Sequence, residues 1–118
     1  METRIEHLTE TTFDGSTAHG IAVVDFWAGW CGPCRAMAPQ FEKAAAQRPQ
    51  YRFAKVDVDA EPALAARFGI RSIPTLLVLR DGEPVASQAG VVGADVLVEA
   101  LDRVAASGAD AATERKAA

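Results

Sequence analysis

The chain has 118 residues, 49% of them apolar and 24% charged, and a formal net charge of −4. That is the size and mixture of one globular domain able to bury a core unaided, which excludes wholesale disorder. The acidic balance disfavours binding to nucleic acid, and no run approaches the roughly eighteen apolar residues of a membrane span.

Ile5, His7 and their neighbours suit a short first strand. Thr11-Thr12 ahead of Phe13 and Asp14 opens a short helix, and Gly20 ends that region. Ile21 to Trp27 is a nearly continuous apolar run rich in β-branched and aromatic residues, as in a strand covered on both faces. From Cys34 to Arg48 the pattern turns helical: Met37, Phe41 and Ala45 recur every four residues, and Pro49 closes the segment. Pro39 falls inside this helix, removes a backbone donor and predicts a kink. Tyr51 to Val58 reads as the next strand, and Glu61-Pro62 starts a short helix that stops at Gly69. Pro74 introduces a strand from Thr75 to Leu79, Asp81-Gly82 is a hairpin turn, and Val85 to Ala89 returns antiparallel. Val96, Leu97, Ala100, Leu101 and Val104 mark a last amphipathic helix opened by Gly93 or Asp95. The small, polar stretch 107–118 is expected to be a frayed tail, leaving 1–106 as the domain. Helices alternating with strands predict an α/β fold: a mixed central sheet with helices on both faces. Phe13, Met37, Phe41, Phe53, Leu64, Phe68, Leu77, Leu79, Leu97 and Leu101 are the expected core.

The only two cysteines, Cys31 and Cys34, cannot build the multi-bridge scaffold of a small secreted domain. Residues 1–7 show neither a signal-peptide core nor a transit-peptide composition, so the expected compartment is the reducing cytoplasm. Cys31-Gly32-Pro33-Cys34 follows a buried strand and opens a helix. The unpaired amides and dipole at a helix N-terminus stabilise a thiolate and pull its pKa below the usual ~8.5. One turn brings the second sulfur within bridging reach. Cys31, at the outer end, is expected to be exposed and to attack substrate disulfides; Cys34, shielded one turn inside, resolves the mixed disulfide. Pro33 fits the first turn because it needs no donor there. A zinc site would need two more ligands, and His7 and His19 stand at spacings that match no common arrangement. A purely structural bridge over so short a loop would constrain little chain. The metal expectation is therefore none.

Trp30-Cys31-Gly32-Pro33-Cys34, preceded by Val24-Asp25-Phe26-Trp27-Ala28, resembles the thioredoxin family. So do Lys55-Val56-Asp57-Val58-Asp59, Phe68-Gly69-Ile70-Arg71-Ser72-Ile73-Pro74-Thr75 and Asp81-Gly82-Glu83. The likeness runs in register from about residue 4 to 105. It implies a five-stranded thioredoxin fold and a protein disulfide reductase that uses no cofactor beyond its own cysteines. It also implies a flavin-dependent, NADPH-driven thioredoxin reductase as electron donor, disulfide-containing client proteins, and a monomer.

The resemblance places Asp25 behind Cys34 as a proton carrier, and Lys55 near Asp25. An isolated buried carboxylate is costly, so burial is expected to raise its pKa. The residues alone leave open that Asp25 caps a backbone group and that Lys55 is a solvated strand lysine. They also leave open whether Asp25 or the Cys31 thiolate deprotonates Cys34. Ile73-Pro74 resembles the family's cis-proline loop, whose backbone pairs with substrate. A trans proline opening a strand is the plainer alternative. Trp30, with Gly32 and Pro33, is expected at an exposed apolar contact surface, and Gly90 at its third loop; Trp27 reads as core support. Departures from the family pattern are Gly29 before Trp30, Arg35 where lysine is frequent, Val91-Val92 after Gly90, and Gly93 at a helix cap. None touches a reacting sulfur, so they bear on partner preference. A disulfide oxidase or isomerase, and a non-catalytic binding subunit or chaperone, are the alternatives; Gly32-Pro33 between the cysteines favours the reductant.

Overall fold

The structure is a computed structural model that describes residues 5–117, with side chains described through residue 107. The elements are β1 (Ile5–His7), α1 (Phe13–Thr17), β2 (Ile21–Trp27), α2 (Gly32–Gln47), β3 (Arg52–Asp57), α3 (Pro62–Arg67), β4 (Thr75–Arg80), β5 (Glu83–Ala89) and α4 (Ala94–Ala117). This is the expected order. The one sheet runs β1-β3-β2-β4-β5, with β2 parallel to β3 and antiparallel to β4.

β2 is continuously apolar because it lies at the sheet's centre, covered on both faces. On one face Val23, Phe53, Leu76 and Val78 pack with Met37 and Phe41 of α2 and Leu97 and Leu101 of α4. On the other, Val24, Phe26, Val56 and Leu77 pack with Phe13 of α1 and Leu64 of α3. Every expected core residue joins these two layers; Phe68 does so half-buried, its ring 5.0 Å from that of Phe13. The hairpin between β4 and β5 turns at Asp81 and Gly82, both at positive φ (51° and 85°), the mirror-image turn that matches strand twist.

α2 continues as one helix through Pro39, starting two residues earlier than its apolar spacing suggested. The first turn of a helix needs no apolar repeat, so the pattern marks only the part that packs. α4 is bounded at Ala94–Ala117. The backbone of 107–117, expected to be a frayed tail, instead continues this helix, because small and charged residues such as alanine, glutamate, arginine and lysine favour it; side chains from 108 on lie outside the described residues. Among the described residues no helix is long and apolar enough to cross a membrane.

Topology brings three loops together. β2 ends at Trp27 and passes through Ala28-Gly29-Trp30 into α2. β4 runs the opposite way, so Thr75 pairs with Phe26 and the preceding Ile73-Pro74 sits beside that exit. Ala89 pairs with Thr75, which brings Gly90 to the same end.

Candidate active site

Cys31 is the N-cap residue of α2, and Gly32 and Pro33 form its first positions. The Cys31 sulfur accepts the Cys34 amide at 3.2 Å. It thereby takes one of the donors a helix start leaves unpaired, the setting that favours a thiolate. Cys31 and Cys34 are joined as a disulfide. The Cys31 sulfur also lies 3.7 Å from the Ile73 carbonyl oxygen. A bridged sulfur carries no proton, so this is a contact between atoms, not a hydrogen bond.

The expected contrast in exposure is not found in this oxidised form: both cysteines are 4% exposed. They form a small apolar cluster with Ala28, flanked by Trp27, Val58 and Ile73. The Ile73 loop covers Cys31 from the side that helix position alone leaves open. The asymmetry between the sulfurs therefore rests on their place in the helix start.

Asp25 is fully buried, and neither carboxylate oxygen has a hydrogen-bond partner among the described residues. The capping alternative is thus excluded. Burial pushes its pKa up to about 6, and the positive charge of Lys55 works in the opposite direction. Lys55 is its cross-strand neighbour on β3. The Lys55 ammonium nevertheless lies 4.9 Å from the centre of the Trp27 ring, and no ion pair joins it to Asp25. Trp27 is half-buried, its ring edge-on to His7, and its indole nitrogen is also buried without a partner. Asp25 and Trp27, two apart on β2, share the sheet face toward α2 and α4, so the buried unpaired polar atoms cluster there.

The Ile73-Pro74 peptide is cis, as the resemblance implied. Gly90 adopts φ +91°, a conformation suited to glycine, and its amide donates to the Pro74 carbonyl at 2.9 Å. Trp30 is 69% exposed. Its indole N–H donates to Asp59 at 2.9 Å. Val91, next to Gly90, is also an exposed apolar side chain. Among the described residues no three His, Cys, Asp or Glu side chains gather as a metal site.

Sequence reasoning missed several ties around this centre. Asp59 entered only as part of a motif, not as the partner of Trp30. The Met37 sulfur, read simply as core, accepts the Val92 amide at 3.5 Å and so holds the third loop to α2. Gln40 accepts the Ala94 amide at 2.9 Å, satisfying the start of α4 from α2. Arg35 donates to the Gly29 carbonyl at 2.9 Å. Each joins residues whose approach only the tertiary structure creates, or a side chain whose direction no spacing predicts.

A family model described as Thioredoxin matches residues 4–103. A thioredoxin of Staphylococcus haemolyticus is 43% identical over 100 residues, covering 84% of this chain and 96% of that protein. A thioredoxin of Staphylococcus aureus is 42% identical over the same length and coverage. Among solved structures, a single-residue mutant of a Halobacterium salinarum thioredoxin superposes with a TM-score of 0.80 at 34% identity, covering 85% of this chain and 89% of that one. A Malassezia sympodialis thioredoxin gives 0.78 at 30% identity, covering 86% and 91%.

Proposed function

The chain belongs to the thioredoxin family and is a thiol–disulfide oxidoreductase, and from that premise we propose a reductant in which Cys31 attacks and Cys34 resolves. The observation that carries this reading is Cys31 at the N-cap of α2, its sulfur accepting the Cys34 amide, with Cys34 bridged to it one turn in.

In the reduced chain, the Cys31 thiolate attacks one sulfur of a client disulfide. That bond breaks, a mixed disulfide forms, and the departing client thiolate takes a proton from water. Cys34 gives its proton to Asp25, and its sulfur then attacks Cys31. The second client sulfur leaves as a thiolate and takes the proton held by Asp25, which returns to the carboxylate as the Cys31–Cys34 bridge closes. The client gains two electrons and two protons, one from water and one that began on Cys34; the chain loses two electrons and one proton.

Asp25 suits the proton transfer because burial holds its pKa at about 6, near working pH, and no hydrogen bond competes for its oxygens. Lys55 tempers that shift by its charge. The backbone at Ile73 and the glycine at Gly90 offer edges for an extended client strand, and Trp30 offers an apolar platform, with Gly32 and Pro33 completing the rim. The working partners are disulfide-containing proteins and an NADPH-dependent thioredoxin reductase. The working state is a cytoplasmic monomer with no cofactor beyond its cysteines, built on residues 1–106 with 107–118 as an appendage.

The test is insulin disulfide reduction driven by NADPH and a thioredoxin reductase. Activity in the wild type, its loss in Cys31→Ser, and mixed disulfides accumulating in Cys34→Ser are expected. A bridged wild type that transfers no electrons overturns the reading. Equilibration with glutathione separates directions: a bridge that glutathione readily reduces marks an oxidant.

A further inference from the structure

Arg35 is exposed on the first turn of α2, four residues after Cys31. One guanidinium nitrogen, Nη1, donates to the Gly29 carbonyl at 2.9 Å, at the peptide that leads into Trp30. The side chain therefore arches back over the start of the helix. A guanidinium has five N–H donors in a fixed plane, and no carboxylate of the described residues forms an ion pair with this one. Gly29 adds no side chain there, and Arg35 itself is exposed, so solvent reaches the guanidinium. Asp59, the acidic group near Trp30, already accepts the indole N–H. The rim of the site thus carries a moored, unpaired cation in a chain whose net charge is −4.

We propose that Arg35 selects clients: held by the Gly29 carbonyl, it receives a glutamate or aspartate side chain that stands beside the disulfide Cys31 attacks. This deepens the reductase reading and rests on it. Mooring matters because a long side chain already fixed in place loses less rotamer freedom when it binds. A planar fork with unused donors suits a carboxylate better than a point charge does. A neutral client meets the apolar platform alone, whereas an acidic client adds a charge-assisted contact at its edge.

The experiment uses prereduced protein and two synthetic peptides, each with one intrachain disulfide. They are identical except for glutamates or glutamines beside one cysteine. Each rate constant is divided by that of dithiothreitol on the same peptide, which cancels differences in the peptides themselves. The wild type is expected to prefer the glutamate peptide about fivefold at low salt, the span of an exposed charge contact, and less as salt is added. Arg35→Met is expected to bring the ratio close to one, and Arg35→Lys to keep part of the preference. Any general effect of Arg35 on the Cys31 thiolate changes both peptides alike and leaves the ratio untouched. A wild-type ratio of one, or an unchanged ratio in Arg35→Met, overturns the proposal. Full preference in Arg35→Lys overturns the part played by the mooring. A wild type that reduces neither peptide defeats the reductase reading instead.

Discussion

Asp25 and Lys55 face each other across β2 and β3, yet the ammonium rests on the Trp27 ring and the carboxylate stands without a partner. The carboxyl group is therefore governed by desolvation, which favours its neutral form and raises its pKa from 3.8 to about 6. The folded chain then binds a proton that the unfolded chain has released between those two values. Stability should fall as pH rises through that window, by roughly 3 kcal/mol in all, since each pK unit is about 1.4 kcal/mol. Asp25→Asn should remove this slope and leave the protein more stable than wild type at pH 7 to 8. Urea unfolding of the oxidised forms across pH measures both. An equal slope in the variant would assign it to other groups, and the same variant should slow client reduction if Asp25 carries the Cys34 proton.

A second carboxylate acts with opposite sign. Asp102 on α4 accepts from Arg48 at 2.8 Å and from Tyr51 at 2.7 Å, tying α4 to the end of α2 and the start of β3. The Arg48 hydrogen bond, then that of Tyr51, pulls its pKa down to about 2. A lowered pKa gives stability that is present above the unfolded value near 4 and is lost as pH falls toward 2. Asp25 and Asp102 thus act on opposite sides of pH 4, Asp102 weakening the fold below it and Asp25 above it. Asp102→Asn should flatten the acid limb and leave the limb above pH 4 unchanged, both read from urea midpoints.

Most of the architecture was legible because the packed helices carry an apolar stripe at helical period and the central strand an unbroken apolar run. The continuous run Ile21–Trp27 marks a central strand, and Met37, Phe41 and Ala45 mark the packed stripe of α2. The sulfur pair, Asp25, Pro74 and Trp30 were legible as motifs. The burial of Cys31 was not, because it depends on Ile73, 42 residues away, folding over it. The Lys55 position was not, because strand register puts the ammonium within reach of both Asp25 and Trp27, and only packing chooses between them. Arg48, Tyr51 and Asp102 are ordinary surface types whose meeting the sequence does not announce.

The helix start should be measurable at the nucleophile itself. In the bridged form the Cys31 sulfur accepts the Cys34 amide, and in the reduced chain the same N-cap position at the positive end of the α2 dipole is expected to favour the anion. Alkylation of Cys34→Ser across pH should report a thiol pKa below the free-cysteine value of ~8.5. A midpoint at or above that value would remove the physical basis for choosing Cys31 as the attacking sulfur.

Trp30 should separate binding from stability. The ring is 69% exposed and is held by one hydrogen bond to Asp59, so the folded core does not depend on it. Trp30→Ala should change the urea midpoint little, within the ±0.5 kcal/mol or so typical of surface positions. It should lower kcat/KM for insulin by about tenfold, because an exposed tryptophan beside the reacting sulfur is the kind of anchor that carries contact energy. Asp59→Asn keeps an acceptor for the indole and should cost less than Asp59→Ala, which frees the ring. If Trp30→Ala unfolds at a much lower urea concentration yet reduces insulin at the wild-type rate, the side chain is a support of the fold and the docking platform lies elsewhere.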